Sequence, residues 1–150
     1  MTGVTLKDVV KRFGDVQVIH GVDLDITDGE FCVFVGPSGC GKSTLLSLLG
    51  LLDMPTSGSY QIEGHEVSGL SLSEAAYIRN EKIGFIFQSF NLIDELTVFD
   101  NVALPLRYRR QNVPKAELEA RVMACLKNKR LIRRQKNIAF FPLTGESQPL

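Results

Sequence analysis

Nine residues, Gly36 to Thr44, read GPSGCGKST and constrain this chain more than any other stretch. They fit G-x-x-x-x-G-K-[ST], the phosphate-cradling P-loop. Such a loop works through its backbone. Gly39 and Gly41 let the chain curl until successive N–H groups point inward at phosphate oxygens. The helix that follows adds its positive N-terminal end to the same anion site. Lys42 is the point charge for the outer phosphates, the Ser43 hydroxyl is the expected Mg²⁺ ligand, and Thr44 adds a further hydrogen bond. A chance glycine-rich turn could match the same pattern. Here the match follows FCVFV, Phe31 to Val35, and opens the Leu-rich KSTLLSLLGLL. A continuous apolar run reads as a strand buried on both faces. Strand, loop and helix in that order are the context a nucleotide site requires.

The elements around the loop follow from local pattern. TLKDVVKRF, Thr5 to Phe13, mixes β-branched and charged residues and suits an outer strand, closed by a turn at Gly14-Asp15. VDLDI, Val22 to Ile26, alternates strictly, as a half-buried strand does. PTSGSYQIEG gives a loop and a short strand from about Ser59. Ser71 and Glu74 stand at capping-box spacing ahead of a helix, LSEAAYIRNE. IGFIFQ, Ile83 to Gln88, is a second apolar strand, and TVFDNVALPL is helical up to Pro105. Asn112 and Pro114 open a last helix in which Leu118, Val122, Cys125 and Leu126 form one apolar face.

Composition removes several classes. With 17 basic and 17 acidic side chains the formal net charge is zero, so no global charge favours nucleic acid. Cys32, Cys40 and Cys125 lack metal-ligand spacing and fit a reducing, cytoplasmic setting. The start, Met1 to Val4, has no signal-peptide pattern. LLSLLGLL, Leu45 to Leu52, is far short of the about 20 apolar residues a bilayer span needs. His20 and His65 are isolated and read as solvated.

Taken together, GEFCVFVGPSGCGKSTLLSLLGLLDMPTSG and IGFIFQSFNLIDELTVFDNVALPL resemble the ATP-binding subunit of an ABC transporter, from about Val4 to about Lys127. Within that family it most resembles the subgroup serving lipoprotein-release and macrolide- or peptide-export permeases, although GEFCVFVGPSGCGKSTLL would also suit a sugar importer's ATPase. The resemblance implies an α/β, P-loop NTPase-like fold: part of an ABC ATPase core, with an N-terminal antiparallel β portion and an incomplete sheet. It implies ATP and Mg²⁺ as cofactors, with Gly36, Pro37, Ser38, Gly39, Cys40, Gly41, Lys42, Ser43 and Thr44 around the phosphates. Phe13, in KRFG, matches the aromatic that stacks on adenine, and a core Phe beside a turn is the plainer alternative. Gln88 matches the Q-loop glutamine that reaches the Mg²⁺ and the attacking water. Lys42 and Gln88 are thus the catalytic candidates, and Ser43 and Gln88 the metal ligands. The implied partners are a second ATP-binding subunit, paired head-to-tail, and a transmembrane permease, with the chain peripheral on the inner face of the cell membrane.

The same resemblance exposes gaps. LIDE, Leu92 to Glu95, imitates a Walker B motif, but only two apolar residues precede Asp94. Asp94 and Glu95 therefore read as loop carboxylates. The nearest string to the family's L-S-G-G-Q signature is LTGESQ, Leu143 to Gln148. Residues 1–126 read as the N-terminal part of an ATP-binding domain, and residues 127–150 as a divergent basic tail opening on KNKRLIRRQK. That tail is either a degenerate signature in a short in-frame chain or a shifted reading frame; the abrupt change in composition favours the second. Turnover by this chain alone is not expected, and a non-hydrolysing remnant or regulatory fragment is the alternative. A GTPase would need N-K-x-D, and Asn128-Lys129 is followed by Arg130-Leu131.

Overall fold

The computed structural model describes residues 2–87 and 91–128. The chain divides into two compact units, Met1–Phe85 and Ile86–Leu150. The first is built on an antiparallel sheet. Strand β1 (Thr2–Phe13) and strand β2 (Val16–Thr27) form a hairpin turning at Gly14-Asp15, with Gly14 left-handed at φ +57°. Strand β3 (Ser57–Ile62) pairs with the other edge of β1, and the short β4 (His65–Glu66) closes the order β2-β1-β3-β4. Glu63 and Gly64, at φ +51° and +78°, make the two-residue turn between β3 and β4.

Two bulges decide which way β1 faces. Leu6 pairs with Leu24 but Val9 pairs with Val22, so β1 carries one extra residue at Lys7-Asp8. Asp8 lies at φ +47°, and its amide donates to the Asp23 carboxylate at 2.7 Å. Gly21 is the compensating extra residue in β2. A Cβ on Gly58 of β3 would collide with the Asp8 carbonyl, so only glycine lets β3 approach the bulge. A one-residue insertion moves the following side chains to the opposite face. Leu6 is buried before the bulge; Val9 and Lys11 are buried after it.

The core of this unit joins Leu6, Val9, Ile19 and Tyr60 of the sheet to Leu45 and Leu48 of helix α1 (Lys42–Leu49) and Ala75 of helix α2 (Leu72–Lys82). The Tyr60 hydroxyl donates to Leu49 O at 2.6 Å, tying β3 to the end of α1. The expected capping box is present: Ser71 Oγ accepts from Glu74 N at 3.3 Å, and Ser71 N donates to Glu74 Oε2 at 2.9 Å. Val22, Leu24 and Ile26 are half-buried and Asp23 and Asp25 exposed, as the alternation in VDLDI requires.

The two apolar runs depart from expectation. Residues 31–35 and 83–87 join no strand. A strand buried on both faces needs hydrogen-bonding neighbours on both edges. Every strand among the described residues is engaged in the β2-β1-β3-β4 sheet, so neither run finds a ladder, and Phe31, Val33 and Val35 are exposed.

The second unit contains helix α3 (Val98–Arg107) and helix α4 (Lys115–Asn128). Thr97 caps α3 by accepting from Asp100 N at 3.1 Å. The helix runs two residues past Pro105, which lacks the one N–H of its own intrahelical bond. Ala103, Val122 and Leu126 form its core. Cys125 is exposed, in contrast to the apolar face expected from spacing, and Met123 packs against the core instead. Of the expected tail, residues 127–150, the first two continue α4 and residues 129–150 lie outside the described residues.

Candidate functional site

Three glycines shape the loop before α1, each for a different reason. A Cβ on Gly36 would come within 2.7 Å of Cys40 Sγ, which folds back across the loop. Gly39 sits at φ +81° with open space beside it, so its constraint is backbone conformation alone. Gly41, at φ +93°, also presses on β2, where a Cβ would meet Ile19 Cδ1 at 2.9 Å and Val18 O at 3.2 Å. The turn closes with Cys40 N donating to Pro37 O at 3.4 Å.

Gly41 is the N-cap of α1, and no side chain caps that end. The first intrahelical bond is Leu45 N to Gly41 O, at 2.8 Å. The N–H groups of Lys42, Ser43 and Thr44 precede it and have no partner within the helix. The Lys42 ammonium donates to the carbonyls of Gly36 and Pro37, both at 2.7 Å, and approaches Cys40 Sγ at 3.5 Å. It is therefore held on the loop's own backbone, beside those three amides. Ser38 and Ser43 are exposed and Thr44 is half-buried. Three orphan amides, a helix N-terminus and an ammonium make a donor set for a polyanion, and residues 36–44 contribute no carboxylate. Mg²⁺ usually keeps several waters and takes one or two protein oxygens plus phosphate oxygens, a demand that one exposed Ser43 hydroxyl suits. No group of three or more His, Cys, Asp or Glu is arranged for a metal among the described residues.

Phe13 ends β1 and is 52% exposed, so it is a surface ring and not a core Phe. Lys11 Nζ lies over the ring, 4.9 Å from its centroid. That same ammonium donates to Asp53 Oδ1 at 2.5 Å and to Met54 O at 2.7 Å. Sequence reasoning missed Lys11. The available signal was period two: residues 11 and 13 share a strand face. Gln88 lies outside the described residues. Asp94 and Glu95 occupy an exposed turn, as loop carboxylates should. Asn101 pins that turn from α3, accepting from Ile93 N at 2.9 Å and donating to Ile93 O at 3.0 Å. His20 and His65 are exposed.

The pattern of the family described as ABC transporter matches residues 19–141. The chain belongs to the ABC transporter family. It is 42% identical over 139 residues to the pyoverdine export ATP-binding/permease protein PvdT of Pseudomonas aeruginosa, a match covering 89% of this chain and 21% of that protein. It is 47% identical over 122 residues to the alpha-glucoside transport ATP-binding protein AglK of Rhizobium meliloti, covering 81% and 32%. Similarity thus extends to both an exporter and a sugar-transport protein. The fold is that of an ABC ATPase cassette. A dimeric ATP-binding cassette, MJ0796, in a post-hydrolysis state bound to ADP and Pi, superposes with a TM-score of 0.77 at 40% identity, covering 91% of this chain and 61% of that one. The chain therefore spans less than two thirds of these relatives' own lengths.

Within this ABC-family chain residues 36–44 and Phe13 both belong to the first unit. The open groove of about 590 Å³ at the edge of the sheet is a different place, lined by Gly3, Ile26, Thr27, Glu63, Lys82 and their neighbours. Two of its charges, Lys82 and Glu63, satisfy each other in a 2.8 Å ion pair, and Asp28 also lines it. No helix among the described residues is long and apolar enough to cross a membrane.

Proposed function

We propose that this chain supplies the nucleotide-binding half of an ABC transporter's ATPase subunit. The observation that carries the reading is the uncapped N-terminus of α1, beside the Lys42 ammonium on the Gly36 and Pro37 carbonyls. The three leading amides of α1 and Lys42 bind the phosphates, and Lys42 turns from the loop carbonyls to phosphate oxygens. Ser43 and Gln88 hold Mg²⁺, which when bound neutralises phosphate charge. Phe13 stacks on adenine, an interaction worth about 1–3 kcal/mol and tolerant of any base.

In this reading the partners are a second ATP-binding subunit, the head-to-tail dimer of the family, and a permease at the inner face of a membrane. MJ0796 is dimeric with ADP and Pi bound, and PvdT is an ATP-binding/permease protein. Both support the partnership. Hydrolysis needs a positioned water as well as charge stabilisation. The sequence holds no four-residue apolar run ending in paired Asp and Glu. The chain alone accordingly binds ATP without turnover.

Isothermal titration with ATP and with inorganic tripolyphosphate tests the binding. Lys42→Ala should weaken both ligands about equally and by at least about tenfold, as loss of charge-assisted hydrogen bonds predicts. Equal affinity in wild type and Lys42→Ala would sink the assignment. Radiolabelled phosphate release above the Lys42→Ala control would overturn the absence of turnover. A strong preference for GTP over ATP would overturn the reading of this site as an ATP site.

A further inference from the structure

We propose that Lys11 is a positioning residue for purine recognition: held by Asp53, it fixes Phe13 as a base platform in register with the phosphate loop. The inference rests on the stacking role given to Phe13 above.

Lysine is seldom buried without a partner. Lys11 is only 9% exposed, on a face where an apolar side chain would pack without paying for desolvation. A partly buried ion pair, with the Asp53 side chain still 33% exposed, is weak evidence of stabilisation, so its presence calls for another role. Its geometry supplies one. Asp53 Oδ1 and Met54 O take two ammonium donors at 2.5 and 2.7 Å, and the remaining side of the ammonium faces the Phe13 ring. One face of the ring is thereby occupied and its orientation set. A cation on that face draws π density inward and leaves the outer face better suited to an electron-rich purine.

Asp53 also links the ring to the cradle. Its amide donates to Ser47 O of α1 at 3.3 Å, and its carboxylate accepts from Met54 N at 2.8 Å. The neighbouring backbone is stitched to β1 by Thr56 N to Val10 O at 2.8 Å and Arg12 N to Thr56 Oγ1 at 2.9 Å. A continuous path then runs from Phe13 through Lys11 and Asp53 into α1, whose first residue is Lys42. A helix is a stiff spacer, so the path sets the separation of base platform and phosphate loop. The bulge at Asp8 is a precondition, because without it Lys11 and Phe13 would lie on the opposite face.

The test compares ATP with inorganic tripolyphosphate, which has no base, by isothermal titration on the full chain with Mg²⁺ present. Lys11→Met and Phe13→Ala should each weaken ATP by about tenfold, the scale of one lost stacking contact, and leave tripolyphosphate within about twofold. Lys11→Arg, which keeps a cation between Asp53 and the ring, should restore most of the ATP preference. If Lys11→Met keeps the wild-type ratio while Phe13→Ala loses it, the stacking reading stands and the proposal fails. If Phe13→Ala also keeps the ratio, the stacking reading falls and takes the proposal with it. Parallel loss of both ligands in Lys11→Met, without a change in ratio, would mean a purely structural lysine and also overturns the proposal. Should Lys11→Met not fold, Asp53→Asn decides: a lowered ratio supports the proposal, and an unchanged one overturns it.

Discussion

Gly39 and Gly41 separate two physical demands that a motif pattern merges. Both lie at left-handed φ, +81° and +93°, so an alanine at either strains the backbone by about 1–2 kcal/mol. Only Gly41 also lacks room, with Ile19 Cδ1 at 2.9 Å and Val18 O at 3.2 Å from a built Cβ. The Val18 carbonyl is backbone and cannot swing aside as a long side chain can. Gly41→Ala should therefore lose more stability in urea than Gly39→Ala, by roughly another 1–3 kcal/mol, the usual scale of overpacking. Equal losses would show that α1 does not press on β2 through this residue. The residue scale is also where sequence was most legible for the site, because glycines, a lysine and two hydroxyls at fixed offsets carry their own chemistry. It was least legible for Lys11. Its role depends on Asp53, 42 positions away, and on a bulge that local pattern does not announce.

The β3–β4 hairpin shows the same division at the scale of an element. A short strand near Ser59 could be read from YQI between loop residues, but the device that holds its turn could not. Glu66 accepts from Ser59 Oγ at 2.5 Å, Tyr60 N at 3.0 Å, Ser68 N at 3.1 Å and Ser68 Oγ at 2.5 Å. Partial burial on its own would raise the Glu66 carboxyl. The four donors outweigh it and hold the group at about 2 instead of the ordinary 4.5. The folded state thus favours the ionised form. This contribution to stability is fully present above about pH 4.5 and is lost as pH falls toward 2. Glu66→Gln should be less stable than wild type at pH 7 in urea melts, and the gap should narrow progressively below pH 4.5. A gap that is constant from pH 7 to pH 3 would show that the charge plays no part. The capping box of α2 was legible because both partners lie within four residues. FCVFV and IGFIF were legible as apolar, but a strand is a relation between segments, and neither run joins the described sheet.

At the scale of the whole molecule the exposed side chains of FCVFV set the solution behaviour. Phe31, Val33 and Val35, all of high β-propensity, are 89%, 61% and 90% exposed, in a five-residue run with no charge and no proline. Such a segment is a template for intermolecular pairing. Net charge gives no protection, since 17 basic and 17 acidic groups cancel and copies do not repel at neutral pH. The chain should therefore associate as concentration rises, with light scattering growing faster than linearly. Val33→Lys places a charge in the middle of the run, at a site that packs against little. Its effect on the urea midpoint should stay within about 0.5 kcal/mol, as for other exposed substitutions, while scattering becomes proportional to concentration. A large loss of stability in Val33→Lys would mean that Val33 is packed in solution. Unchanged association would move the sticky surface elsewhere, first to the fully exposed Ile86 of the second unit, where Ile86→Lys repeats the test.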